Sequence, residues 1–437
     1  MTTKKCDITY GILVNTSRFI LAAVFLFSGF TKAIDPTGSY YKLQEYLNVF
    51  GLGTILPDWI TFSGAFLLGI LEFCLGIYLF WGIRRKISTT VTLLMMIGFT
   101  LLTLYIAIAN PVSDCGCFGE ALHLTNWQTF WKNVVLLLCA IIAYHKGNKI
   151  TRFVSDKFAW LTSLYSALFI TVLSAVCLHY LPIIDLMPYK VGTDIKASME
   201  IPEGAKQSKY ETYFTYKQGD ISREFTVDNL PDSTWTFQSS RTELIEKGFE
   251  PAIHDFSITL NSTGEDLTDQ VLQTPNYTFL LVMQRIELAD DGNIDRINDL
   301  YDYAQHNGYG FYALTSSPEE EIIKWEDKTG AEYPFCYTDD TTLKTMIRSN
   351  PGLMLIKDGI ILQKWSNNNM PDEYQLNGRL EELPIGQCAR ESTLNKATKL
   401  ALWFVIPLMT FLALDKIFSR RKKTEDEEEA PTNEKDT

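Results

Sequence analysis

The chain has 437 residues, 39 Lys+Arg against 52 Asp+Glu, a net charge of −13 and eight cysteines. Its apolar residues are unevenly spread: residues 11–181 hold long hydrophobic stretches, whereas 183–398 carry 19 Lys+Arg and 36 Asp+Glu. So acidic a polar half excludes nucleic acid as a partner, because phosphates need Lys and Arg, and it keeps that half off anionic lipid.

Crossing about 30 Å of hydrocarbon takes about 20 apolar residues. Five stretches qualify in the first half, near 11–33, 60–82, 88–109, 129–145 and 158–181, and a sixth lies near 399–418 with Pro407 inside it. Proline is tolerated in such spans because neighbouring groups satisfy the freed carbonyl. The lipid bilayer is therefore the first expected partner. Lys4 and Lys5 precede the first span; Arg84, Arg85 and Lys86 join the second and third; Lys146, Lys149, Arg152 and Lys157 join the fourth and fifth; Arg420, Arg421, Lys422 and Lys423 follow the sixth. The positive-inside rule puts all four clusters in the cytoplasm. The chain is then a multi-pass inner (plasma) membrane protein with both termini inside and residues 34–59, 110–128 and 182–398 outside, the last periplasmic. No cleavable signal peptide is apparent, since the first apolar run continues into Ser28-Gly29-Phe30-Thr31-Lys32-Ala33. The acidic tail 424–437 is expected to be disordered.

The external loop before the fourth span reads Asp114-Cys115-Gly116-Cys117-Phe118-Gly119. Glycine frees the backbone between the two cysteines so that they can approach. A disulfide closing so small a ring is strained and labile, and an external compartment permits it. One reading is a redox-active dithiol, with Cys115 and Cys117 as candidate catalytic residues; the alternatives are a metal site or two plain buried thiols. Only His123 lies near, and zinc wants four ligands, so no metal is expected. Glu72 sits mid-way along the second span, where a carboxylate is costly and a functional candidate by default. It reads either as a proton relay or as a protonated acid bonded to a neighbouring helix. Arg18 and Lys32 lie nearer the membrane faces, where snorkelling accounts for them. Cys6, Cys74 and Cys139 read as packing residues, and Cys177 sits near the outer end of the fifth span.

Residues 11–145 resemble the DoxX/MauE group of four-helix membrane proteins. The residues that carry this are Phe27-Ser28-Gly29-Phe30-Thr31-Lys32-Ala33-Ile34-Asp35-Pro36, Leu71-Glu72-Phe73 and Cys115-Gly116-Cys117-Phe118-Gly119. The last of these points to the MauE branch, which is associated with methylamine utilisation and implicated in maturing a disulfide-rich dehydrogenase subunit. The helical arrangement is also similar to that of vitamin K epoxide reductase. This chain departs from that enzyme in having no Cys-x-x-Cys in a span, only Cys74 and Cys139.

In the polar half, 182–250 has patterned runs without a motif and reads as a β-rich or connecting segment. Beyond it the periodicity predicts strands at 254–260, 278–283, 309–314 and 333–337, helices at 293–306, 318–328 and 341–348, and a hairpin of 352–356 with 360–365 across Lys357-Asp358-Gly359. This order resembles the thioredoxin-like fold, in its peroxiredoxin and resA-like branch. The resemblance implies a cis bond before Pro351 in Asn350-Pro351-Gly352. Thioredoxins place Cys-x-x-Cys after the first central strand; here that place reads Met283-Gln284-Arg285-Ile286. Cys336 and Cys388 are left either to pair, to stay inert, or to serve Cys115 and Cys117.

The expected architecture is a membrane all-α helical bundle with an external α/β thioredoxin-like domain. Its parts are a four-helix DoxX/MauE-like domain (1–150), a fifth span (151–181), a connecting segment (182–250), the thioredoxin-like domain (251–398), a sixth span (399–418) and a charged tail (419–437). Two functions compete, beside a third, weaker reading as a small-molecule carrier or quinone-linked enzyme built around Glu72. In one, the chain is a redox accessory that exchanges electrons with a periplasmic thiol or disulfide protein through Cys115 and Cys117 and docks it with the thioredoxin-like domain. In the other, it is a non-enzymatic scaffold or assembly factor. Neither calls for a cofactor.

Overall fold

The computed structural model describes residues 2–428 apart from 113, 114, 123, 203, 207, 208, 219, 220, 233, 247 and 255. Asp114 and His123 thus lie outside the described residues, as does the tail beyond 428 and the side chain of Cys6. In chain order the first helices are α1 (Thr2–Ile34), α2 (Pro36–Val49), α3 (Asp58–Trp81), α4 (Arg85–Ala109), α5 (Asn126–His145) and α6 (Asp156–His179). All but α2, together with the last helix described below, are long and apolar enough to cross a membrane, six in all among the described residues. The protein is a multi-pass membrane protein.

Small residues bring α1 and α3 together. A Cβ on Gly29 would meet the backbone nitrogen of Phe73 at 2.3 Å and the carbonyl of Gly69 at 2.8 Å, so no other residue fits there. Close backbone approach through small side chains is the usual basis of helix association in lipid, where no hydrophobic gain drives it. Two apolar clusters fill the bundle, one around Leu21, Phe25, Leu79, Met96 and Leu136, the other around Ile34, Phe73, Ile77, Ile170 and Leu173. At the end carrying the basic clusters, Arg85 donates to the Asn148 carbonyl (3.1 Å) and Asn15 to that of Lys149 (3.2 Å).

Arg18 does not snorkel. It is fully buried, donates to the Thr151 carbonyl at 2.7 Å, and lies 4.5 and 5.1 Å from the rings of Phe19 and Phe153. Aromatic faces offset the cost of the buried cation, which the sequence position alone did not reveal.

After α6 the chain forms α7 (Ile195–Met199), then β1 (Lys209–Gln218), β2 (Ile221–Thr226) and β3 (Thr236–Glu246), a small antiparallel sheet in the order β2-β1-β3. The α/β domain follows: β4 (Thr259–Leu260), α8 (Thr268–Leu272), β5 (Tyr277–Met283), α9 (Ile294–Asn307), β6 (Gly310–Thr315), α10 (Glu319–Thr329), β7 (Phe335–Tyr337), α11 (Asp340–Met346), β8 (Gly352–Lys357) and β9 (Ile360–Ser366). The sheet runs β4-β7-β6-β5-β8-β9, with β5, β6 and β7 parallel, β4 antiparallel to β7, β8 antiparallel to β5 and β9 antiparallel to β8. This strand order is that of the thioredoxin-like fold expected from the sequence.

Every residue of β5 is buried, because both faces of the sheet are covered. Phe279, Leu281 and Met283 enter one core with Ile297, Leu300 and Trp325; Leu280 and Val282 enter the other with Leu343 and Met346. Tyr189 and Ile195, from the connecting segment, also belong to the second core, and the Ile195 amide donates to the Gly359 carbonyl at 2.9 Å. The strand expected over 254–260 contracts to Thr259–Leu260. The Asn350–Pro351 bond is cis.

The chain returns through α12 (Thr393–Glu428), which contains Pro407. The helix runs beyond the expected span, so residues 424–428 are helical rather than disordered. Asp415, buried within α12, accepts from the amide (2.8 Å) and the hydroxyl (2.5 Å) of Ser155, the residue that precedes α6.

Candidate functional site: a dithiol loop under α2

Gly116 has φ +61°, the left-handed region that glycine enters without penalty, and this turns the chain between its two neighbours. Cys115 and Cys117 are joined in a disulfide, their Cα atoms 5.4 Å apart. Cys115 is buried, Cys117 half-buried. The loop is tied at both ends. Asn126, at the start of α5, donates to Asn110 (2.8 Å) and to the Val112 carbonyl (2.9 Å), and the Tyr46 hydroxyl of α2 donates to the Cys115 carbonyl at 2.5 Å.

Beneath the loop lies a polar group that crosses the α1–α3 contact. The Lys32 ammonium is 2.8 Å from Glu72 Oε2, 2.7 Å from Ser28 Oγ and 3.0 Å from the Cys117 carbonyl. The Ser28 hydroxyl donates to that same carbonyl at 2.7 Å. Lys32 is thus an ion-pair partner rather than a snorkelling side chain. The structure brings Glu72 and Cys117 together through it, since the glycine-mediated approach of α1 to α3 sets one opposite the other. The sequence singled out Cys115, Cys117 and Glu72, but its position near a membrane face made Lys32 read as a snorkelling side chain. The available signal was Ser28 and Lys32, four residues apart on one helix face and one turn from the Asp35-Pro36 helix start.

The other described cysteines do not join this group. Cys74, Cys139, Cys177, Cys336 and Cys388 are all free. Burial pushes the Cys336 thiol up to about 12, which makes it inert at neutral pH. Among the described residues no three His, Cys, Asp or Glu side chains gather as a metal site.

A second constellation sits where α2 meets the α/β domain. Asp35 caps α2 by accepting from the Gly38 amide (2.8 Å), with Pro36 at the first helical position. The same carboxylate takes a two-pronged contact from Arg348, at 3.1 Å to Oδ1 and 3.0 Å to Oδ2. Tyr41 donates to Gln284 Oε1 (2.7 Å), and Gln284 in turn donates to the Ile347 carbonyl (2.8 Å). Burial pushes the Tyr41 phenol up to about 12, with Arg348 opposing. Behind Arg348, Lys364 pairs with Asp185 at 2.7 Å; burial lowers its pKa and Asp185 offsets part of that. The residue that follows β5, where the sequence lacks the Cys-x-x-Cys expected of the fold, is Gln284, and a tyrosine of α2 contacts it.

Residues 10–145 match the family described as methylamine utilisation protein MauE. The sheet β1–β3 falls within residues 210–247, which match a domain of unknown function, DUF8463, for nearly all its length. Protein TlpB of Flavobacterium psychrophilum is 24% identical over 141 residues, covering 31% of this chain and 37% of that protein, so the match spans little more than a third of this relative. Among solved structures, the chain is similar to a proposed protein disulfide isomerase from Bacteroides thetaiotaomicron, with 18% identity and a TM-score of 0.23 over 26% of this chain and 77% of that one. It is also similar to an uncharacterized conserved protein from Geobacillus kaustophilus, with 14% identity and a TM-score of 0.24 over 31% and 82%. The matched residues run from within α1 to the end of α5, and so contain the dithiol loop, Lys32 and Glu72.

Proposed function

We propose that this protein is a redox accessory of an inner membrane, whose MauE-type domain exchanges a disulfide with a periplasmic protein through Cys115 and Cys117. The observation that carries this reading is the disulfide in a loop whose second cysteine is half-buried. The chemistry is thiol–disulfide exchange. A partner thiolate attacks one loop sulfur, the loop S–S bond opens, and the partner's second thiolate resolves the mixed disulfide. The loop gains two electrons and two protons, and the partner leaves oxidised; the same steps run in reverse. Both termini are cytoplasmic in this reading and residues 182–398 are periplasmic, in keeping with the basic clusters at the opposite end of the bundle. The thioredoxin-like domain contributes a docking surface for the partner, and Glu72 anchors Lys32 beneath the loop.

Replacing both Cys115 and Cys117 with serine tests this. The thiol redox state of periplasmic proteins shifts in cells carrying the double variant, read by alkylation and mass spectrometry; an unchanged state removes the chemistry.

One observation favours a second reading, that of a non-enzymatic scaffold with a binding-only thioredoxin-like domain. Gln284 stands where the fold's thiols belong, and Tyr41 already contacts it. A partner that co-purifies equally well with the double serine variant supports that reading.

A further inference from the structure

Three lysines close on the Cys-Gly-Cys-Phe loop from three different helices. Lys32 of α1 donates to the Cys117 carbonyl at 3.0 Å. Lys42 of α2 lays its chain along Gly116, where an added Cβ would meet its Cγ at 2.6 Å and its Cε at 3.0 Å. Lys132 of α5 holds its ammonium 4.2 Å from the centre of the Phe118 ring. Successive residues 116, 117 and 118 each receive one of these side chains. The carboxylates that answer them stand one step back: Glu72 pairs with Lys32 and Glu45 with Lys42, both at 2.8 Å. Among the described residues Lys132 makes no ion pair, though Glu72 and Lys32 both lie within electrostatic reach of it. Among the described residues, the other titratable groups beside the loop are Tyr46, whose hydroxyl is on the Cys115 carbonyl, and Glu120, on the turn that follows Phe118.

Resting on the exchange reading above, we infer that these lysines are positioning residues that hold the reduced loop with a thiolate on Cys117 and a thiol on Cys115. A cation beside a cysteine favours the thiolate, and burial away from charge disfavours it. Cys117 has Lys32 on its own carbonyl and is half-buried, whereas Cys115 is buried and its carbonyl is held by a neutral phenol. Cys117 is then the sulfur that attacks and is attacked, and Cys115 the one that resolves. When the reduced loop meets a disulfide protein, the Cys117 thiolate attacks it and one partner sulfur departs as a thiolate. Cys115 loses its proton and attacks the mixed disulfide at Cys117, and the second partner sulfur departs. The partner gains two electrons; its two protons come from Cys115 and from water.

The test uses the full chain in lipid nanodiscs, reduced and freed of reductant, then alkylated with iodoacetamide between pH 5 and 9. Mass spectrometry reads Cys115 and Cys117 separately. The expected result is that Cys117 reacts about tenfold faster than Cys115 at pH 6.5. Lys132→Met and Lys42→Met each slow Cys117 about three- to tenfold at that pH, by moving its titration upward. Lys132→Arg keeps the wild-type profile, which a role in shape alone would not require. Either of two results overturns the inference: equal rates for the two thiols, or a Cys117 profile unmoved by both methionine variants. A failure of the exchange reading looks different, because there the partner thiols ignore the double serine change whatever the alkylation profile.

Discussion

Replacing Glu72 with glutamine keeps the side chain's shape and removes its charge, which leaves the Lys32 ammonium buried beside a neutral amide. The two side chains are only 13% and 3% exposed. Breaking a buried pair from one side typically costs about 3–5 kcal/mol, whereas replacing both partners with apolar groups of similar size is close to neutral. Glu72→Gln alone is therefore expected to lower the melting temperature of the detergent-solubilised full chain markedly. The double change Lys32→Met with Glu72→Leu is expected to recover most of the loss. A Glu72→Gln protein that melts like wild type would contradict the account of this pair. Cys115, Cys117 and Glu72 stand out in the sequence because their chemistry is rare in apolar surroundings. Lys32 and Arg18 do not, because each takes its role from residues far along the chain: α3 for the first, the turn after α5 for the second. The glycine that admits α3, Gly29, carries no functional group of its own.

The helix α2 is the element that the sequence hides and the structure makes central. Its stretch Ser39-Tyr40-Tyr41-Lys42-Leu43-Gln44-Glu45-Tyr46 is too polar to read as a core helix, because its partners are a loop and another domain. Three of its side chains divide the work: Tyr46 and Lys42 face the dithiol loop, while Tyr41 faces Gln284. Tyr41→Phe removes one hydrogen bond and leaves Gln284 Oε1 short of its donor, a loss of about 1 kcal/mol. The expected consequence is faster hydrogen exchange in α2 and around Ile347, with the melting of the bundle little changed. The pH dependence has a defined sign. The folded phenol titrates near 12 against 10 in an unfolded chain, so its contribution is whole below pH 10 and is lost as pH rises towards 12. Tyr41→Phe removes that part of the alkaline loss; identical exchange profiles for variant and wild type would sink the contact. Elements whose pattern is set locally were legible. The continuous apolar run of β5, the amphipathic helix α9 and the β8–β9 hairpin all appear within a residue or two of their expected places. The strand expected over 254–260 was overcalled, because alternation continued past the two residues that actually pair.

At the scale of the molecule, charge and hydropathy separate two halves, and the structure joins them through a few buried polar contacts. Asp35 with Arg348 and Asp185 with Lys364 link the top of the membrane bundle to the loop before β8 and to β9 of the thioredoxin-like domain. The two-part architecture was readable from composition, since apolar spans and an acidic α/β half need different solvents. How the halves meet was not, because an ion pair between residues 35 and 348 leaves no periodic trace in either segment. The joined arrangement sets the dithiol loop and the thioredoxin-like domain on the same α2 helix, and the proposal turns on that loop forming a covalent intermediate with another protein. The most direct test traps it in intact cells. Cys115→Ser leaves Cys117 to form a mixed disulfide that nothing resolves, and acid quenching followed by alkylation preserves it. The account predicts a higher-mass adduct, absent in Cys117→Ser and in the double serine variant and collapsing to the single chain on reduction. No adduct in either single variant would contradict it.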